Sequence, residues 1–138
     1  MKTLHGKTVR PMGVVEGEAL VSTDLIAYWA GIDWENGELV EIGHCLQGQN
    51  VSGKILVYPS GKGGAGDTYG YYYLYRTGHA PKAMICNRAN SLNIGASLLT
   101  GTPMVYGYEE DVTRAVRTGD RIRVDSDQGT IEILGEKE

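Results

Sequence analysis

Polar and apolar side chains alternate through Arg121-Ile122-Arg123-Val124-Asp125 and Thr130-Ile131-Glu132-Ile133, on either side of Ser126-Asp127-Gln128-Gly129. That pattern predicts a C-terminal β-hairpin. Shorter β-branched runs, Thr8-Val9-Arg10, Val14-Val15, Ala19-Leu20-Val21-Ser22, Glu38-Leu39-Val40 and Lys54-Ile55-Leu56-Val57, read as strands with Gly, Asn or Asp at their ends. The second half changes period: Asp67 to Arg76 stopped by Gly78, Ser91 to Leu99 stopped by Gly101, and a short turn from Asp111 to Val116 read as helical. Between them, Ala83-Met84-Ile85-Cys86 and Met104-Val105-Tyr106 are apolar on both faces, as strands covered by helices are. The expected fold is α+β: N-terminal strands forming a sheet or half-barrel, joined to a β-α-β-α-β layer and followed by the hairpin.

Length and charge narrow the function. The chain has 138 residues, the size of a single domain over 1–138, and its 20 glycines are spread between the short runs rather than gathered in a linker. The formal net charge is −4 and no basic stripe is present, so nucleic acid is not an expected partner. No apolar run approaches the roughly 20 residues needed to span a bilayer, and the first residues lack the apolar segment of a signal peptide. The expectation is a cytoplasmic protein with no membrane partner.

Two cysteines, Cys45 and Cys86, are too few for a disulfide scaffold or for the three or four thiolates of an iron–sulfur cluster. His44 adjoins Cys45, but neighbours on a strand point to opposite faces, which argues against joint metal binding. No metal or cofactor is expected on this chain.

The candidate chemistry lies in Pro59-Ser60-Gly61-Lys62-Gly63-Gly64-Ala65-Gly66-Asp67-Thr68, entered from a strand and left by a helix. Four glycines in six residues let backbone approach a ligand, and the N–H groups at a helix start attract anions. Gly61, Lys62, Gly63, Gly64, Ala65, Gly66 and Asp67 are therefore the candidate substrate-binding residues, with Lys62 as the loop's cation and Asp67 or Thr68 as the helix cap. Ser60 and Thr68 are the nearby hydroxyls and the candidate catalytic groups. Gly61, Gly63 and Gly66 also scan as G-x-G-x-x-G, the dinucleotide fingerprint. Its acidic ribose partner would fall near Asn87, and no carboxylate lies between Thr68 and Tyr108. The tyrosines of Tyr69-Gly70-Tyr71-Tyr72-Tyr73-Leu74-Tyr75 read as core or interface packing, with Tyr71 and Tyr75 on a shared helical face.

From about Val15 to Ile133 the chain resembles the small subunit, or swivelling domain, of the aconitase X family of hydro-lyases. The residues that carry the resemblance are Gly17-Glu18-Ala19-Leu20-Val21, Tyr28-Trp29-Ala30-Gly31-Ile32-Asp33, His44, Gly48, Gly53-Lys54-Ile55-Leu56-Val57, Pro59, Gly61-Lys62-Gly63, Ala80-Pro81-Lys82-Ala83, Gly95, Pro103, Gly119-Asp120 and Val124-Asp125. Their order and spacing are specific together, although each motif is weak alone. The resemblance implies a β/β/α swivelling fold that closes over a large catalytic subunit carrying an iron–sulfur cluster. It also implies dehydration of a small hydroxy acid such as mevalonate 5-phosphate or cis-3-hydroxyproline. In that family a serine of the small domain accepts a proton, in a loop reading approximately Arg/Lys-Gly-Ser, two variable residues, Gly-Ser.

Here that loop reads Lys62-Gly63-Gly64-Ala65-Gly66-Asp67-Thr68, with Gly64 at the first serine position and Thr68 at the second. Glycine has no group that takes a proton. Three readings follow: a neighbouring hydroxyl or carboxylate takes over, the large subunit supplies the base, or the activity is different or lost. In the last, the chain is a non-catalytic anion- or dinucleotide-binding module. Asp33 and His44 match family positions and suit turn and hydrogen-bond roles equally well.

Overall fold

The computed structural model describes residues 2–135. Its strands are β1 (Lys2–His5), β2 (Lys7–Thr8), β3 (Val14–Val21), β4 (Ile55–Tyr58), β5 (Ala83–Cys86), β6 (Met104–Tyr106), β7 (Arg121–Asp125) and β8 (Thr130–Gly135). Its helices are α1 (Asp67–Thr77), α2 (Ser91–Thr100) and α3 (Val112–Ala115). The strands form one mixed sheet in the order β1-β8-β7-β3-β4-β5-β6-β2.

The spine of this sheet is β3. Its first half pairs antiparallel with β7, from Val14 opposite Asp125 to Glu18 opposite Arg121, and its last three residues pair parallel with β4, Ala19 to Val21 against Ile55 to Val57. One continuous strand thus joins an antiparallel half to a parallel half. The sequence separated β3 into two runs because Glu16, Gly17 and Glu18 interrupt the apolar residues. The pairing partners of those residues come from more than 100 positions downstream, at Arg121 to Arg123.

The expected N-terminal sheet is corrected in the same way. The C-terminal hairpin is inserted between β1 and β3, with β8 paired to β1 and β7 paired to β3. Glu38-Leu39-Val40 forms no strand; Glu38 and Leu39 make only isolated bridges to Asn50 and Ile32. The β4-α1-β5-α2-β6 layer is parallel, as anticipated.

All four residues of β4 and of β5 are buried, and alternate side chains enter two cores. Leu56, Tyr58, Met84, Cys86 and Met104 join Tyr71, Leu74 and Ala96 of α1 and α2 in one. Ile55, Val57, Ala83, Ile85 and Val105 join Ile122, Val124, Ile131 and Val112 in the other. Burial of this much apolar surface on both faces makes the parallel layer the rigid floor beneath the loop that leaves β4.

Candidate functional site

The strand β4 ends at Tyr58, and residues 59–66 carry the chain to α1 across the carboxyl end of the parallel layer, where α/β sheets place their ligands. The loop is anchored at its root: Ile26 N donates to Ser60 O at 3.1 Å and Lys62 N to Ile26 O at 2.9 Å. Beyond that anchor it is open. Lys62, Gly63, Gly64 and Ala65 are exposed, and among the described residues the amides of Gly63, Gly64, Ala65 and Gly66 donate to no protein acceptor. Four unpaired N–H groups thus lie beside the start of an 11-residue helix, the end of a helix that attracts anions.

Each glycine of the loop has its own surroundings. A Cβ on Gly61 would lie 2.5 Å from Asn90 Nδ2 and 2.9 Å from Asn93 Oδ1, so the start of α2 presses on the loop there. One on Gly66 would lie 2.6 Å from Cδ2 of Trp29. Gly63 has a φ of +87°, in the region that favours glycine. Gly64 differs from all three: its φ is unexceptional, and a Cβ there would meet one atom within 4 Å, Asp67 Oδ1 at 3.7 Å.

The expected helix cap is corrected. Gly66 is the N-cap of α1 and no side chain caps it. Asp67 turns inward, where it is 1% exposed; its Oδ1 accepts from Trp29 N at 3.3 Å, and its Oδ2 has no partner. Burial pushes the Asp67 carboxyl above its ordinary value, against the lowering effect of the Trp29 and Tyr28 amides. Thr68 Oγ1 donates to Leu92 O at 2.7 Å, across to α2. An alkoxide at that position would face a carbonyl oxygen at hydrogen-bond distance, which disfavours Thr68 as a proton acceptor. Ser60 is 7% exposed, and its hydroxyl has no protein partner among the described residues.

Lys62 reaches away from the loop, with Nζ 2.6 Å from Glu41 Oε2. Asp33 Oδ1 accepts from Glu35 N at 2.9 Å, a turn role. His44 and Cys45 lie in a turn rather than on a strand, so their ligand atoms come within 4.8 Å of each other and of Asp24. The strand geometry invoked against a metal here is therefore wrong, but both imidazole nitrogens are engaged. Nδ1 accepts from Leu46 N at 3.0 Å, which leaves Nε2 to donate to Leu25 O at 2.9 Å. Cys86 is buried, and burial pushes its thiol up to about 12.

Two groups near the loop were not legible as site residues. Asn93, 1% exposed, accepts from Tyr58 OH at 2.7 Å through Oδ1, while its Nδ2 is unpartnered and would lie 3.0 Å from a Cβ on Gly61. The available signal was its position three residues after Asn90, the N-cap of α2. The other is an aromatic shelf: Trp29 stacks on Trp34 at 4.5 Å between centroids, and Trp34 on Tyr73 at 5.0 Å, with Trp29 and Tyr73 nearly half exposed. Tyr71 and Tyr75 do not share an environment. Tyr71 is buried with Asp67, Gly70 and Leu74, and Tyr75 is exposed.

A sequence model described as the aconitase X swivel domain matches residues 3–133. The chain belongs to the aconitase X swivel-domain family. It is 38% identical over 121 residues to the phosphomevalonate dehydratase small subunit of Methanocella arvoryzae, covering 88% of this chain and 92% of that one. The protein of the same name from Pyrococcus abyssi is 35% identical over 132 residues, covering 96% and 98%. Among solved structures, aconitase X of Thermococcus kodakaraensis in its holo-form superposes with a TM-score of 0.91 at 34% identity, covering 98% of this chain and all of that one. The solution structure of a UPF0107 protein superposes with a TM-score of 0.88 at 34% identity over 97% of this chain. The swivelling α+β fold expected from the sequence is the one observed, and among the described residues no helix is long and apolar enough to cross a membrane.

Proposed function

We propose that this chain is the small subunit of a cytoplasmic phosphomevalonate dehydratase, a single domain over 1–138 that works with a large subunit to remove water from mevalonate 5-phosphate. The observation that carries the reading is the set of four unpaired loop amides at the start of α1, in a chain whose relatives over nearly its full length bear that enzyme's name. The relatives' name favours mevalonate 5-phosphate over cis-3-hydroxyproline, and it favours a dehydratase over a dinucleotide-binding module.

In this reading Gly63, Gly64, Ala65 and Gly66 hold an anionic end of the substrate through backbone N–H groups, and Gly61 and Asp67 fix the two ends of the cradle. Lys62 is poised to leave Glu41 for a stronger anion, as a point charge on a flexible stem. The large subunit carries the iron–sulfur cluster, which supplies Lewis-acid assistance to the departing hydroxyl when bound. On this chain the group of Asp24, His44 and Cys45 offers a single thiol, and both imidazole nitrogens of His44 are engaged, too few ligands for such a cluster. The aromatic shelf of Trp29, Trp34 and Tyr73 adjoins the loop through Gly66 and suits the desolvated centre of an interface with the large subunit.

The test is anaerobic co-production with the large subunit of a phosphomevalonate dehydratase, followed by assay of mevalonate 5-phosphate and cis-3-hydroxyproline. Formation of a stable complex that dehydrates the phosphate substrate is expected. No complex, or turnover confined to the imino acid, would overturn the reading.

A further inference from the structure

We propose that Asp67 is the proton acceptor of this subunit, acting from the first turn of α1 across the open space beside Gly64. The inference rests on the dehydratase reading above and concerns which group performs its proton transfer. Three observations carry it. A side chain built on Gly64 would project into space bordered within 4 Å by one atom, Asp67 Oδ1. The second oxygen of the same carboxyl is buried and bonded to nothing, although an unpaired buried carboxylate oxygen costs stability. The four amides next to it donate to no protein acceptor and, being donors, cannot take a proton.

The substitutions fit together. The loop lacks a hydroxyl at 64, and at 67, where the family pattern has glycine, it has a carboxyl that faces the vacancy. Of the hydroxyls nearby, Thr68 is bonded to the Leu92 carbonyl. Burial raises the Asp67 carboxyl, which moves a weak base toward the strength a general base needs near neutral pH. Few charges disturb it. The facing groups are the Trp29 and Tyr28 amides and the Tyr28 phenol, itself held neutral by burial, while Lys62 and Glu41 are paired with each other.

The step balances without a further reagent. The Asp67 carboxylate takes the proton from the carbon next to the substrate carboxylate, and the electron pair of that C–H bond becomes the new C=C bond. The C–O bond at the β carbon breaks, the hydroxyl takes up a proton from solvent and departs as water, and Asp67 releases the abstracted proton to solvent.

The experiment uses the complex with its large subunit and follows turnover of mevalonate 5-phosphate together with deuterium exchange at the α carbon in D₂O. Asp67→Asn should lower kcat by about 10²- to 10⁴-fold, with KM within a few-fold, α-deuterium exchange lost, and the acidic limb of the pH profile removed. Asp67→Gly should do the same, and adding Gly64→Ser to it should recover turnover. A kcat within about threefold of wild type in Asp67→Asn or Asp67→Gly would overturn the proposal. So would a loss in Asp67→Gly that Gly64→Ser does not recover, because the carboxyl would then serve the loop's shape rather than the proton. The wild-type complex reports on the substrate and the ratio of variant to wild type on Asp67, so the two readings fail separately.

Discussion

Thr68 Oγ1 donates to the Leu92 carbonyl at 2.7 Å, so the first turn of α1 is fastened to the first turn of α2. Both turns stand at the carboxyl end of the parallel strands, and the loop between β4 and α1 inherits its position from that fastening. Thr68→Val keeps the shape and deletes the bond. It should cost about 1 kcal/mol and lower Tm by a few degrees in thermal unfolding. An unchanged Tm would show that the two helices are held together without it.

Gly61 and Gly64 stand three residues apart and should respond oppositely to alanine. At Gly61 the new methyl collides with Asn90 and Asn93, displacing the residue that caps α2. Gly61→Ala should therefore destabilise by about 1–3 kcal/mol. At Gly64 the space is open and the backbone ordinary, so Gly64→Ala restricts the unfolded chain and should stabilise by about 0.4–1 kcal/mol. Denaturant midpoints at constant slope distinguish the two, and equal shifts would contradict the close approach of α2 to the loop.

Gly70 sets the distance between α1 and the segment that bears Trp29. A Cβ there would lie 2.5 Å from Tyr28 O and 2.6 Å from Trp29 N, both backbone atoms that no rotamer change can move. Alanine ordinarily improves a helix interior by about 1 kcal/mol over glycine, but a forced backbone shift costs about 1–3 kcal/mol and occasionally more. Gly70→Ala should be net destabilising and should change the tryptophan fluorescence, since Trp29 moves with that backbone. A rise in Tm would refute the contact.

Elements with local signals were legible and those with distant partners were not. The strands β5 and β6 fall where their apolar runs are, and α1 and α2 stop at Gly78 and Gly101, whose left-handed backbones let their N–H groups donate to carbonyls of the last turn. Residues 22–53 offered one strand-like run, Glu38-Leu39-Val40, and it forms only isolated bridges. Ile26, Tyr28, Ile32, Leu39, Leu46 and Val51 enter the core singly, between turns closed by left-handed Gly37, Gly43, Gly48 and Gly53. The open, glycine-rich loop leading into α1 was legible, because glycines and a helix start are local facts. The orientation of Asp67 could not, because its inward turn is set by Trp29 N, 38 residues away.

The buried Asp67 carboxyl also ties stability to pH. Its folded-state value lies above the ordinary carboxylate value, so the folded state holds the proton more tightly than the unfolded chain does. The stability it contributes is fully present below the ordinary carboxylate value near 3.8 and is lost as pH rises through the folded value. Asp24 and Asp111 run the other way. A backbone hydrogen bond from Cys45 lowers the first, and hydrogen bonds from Thr113 and Asn87 lower the second, so their contributions are lost as pH falls. Asp67→Asn keeps an oxygen for the Trp29 amide and removes the buried charge. Its stability relative to wild type should therefore improve as pH rises from about 4 toward neutrality, and level off once Asp67 is ionised in the folded state. Paired denaturant titrations across that range measure the difference. A variant uniformly less stable, with no pH dependence in the difference, would show that the carboxyl is not held out of solvent and would remove the physical basis for its raised basicity.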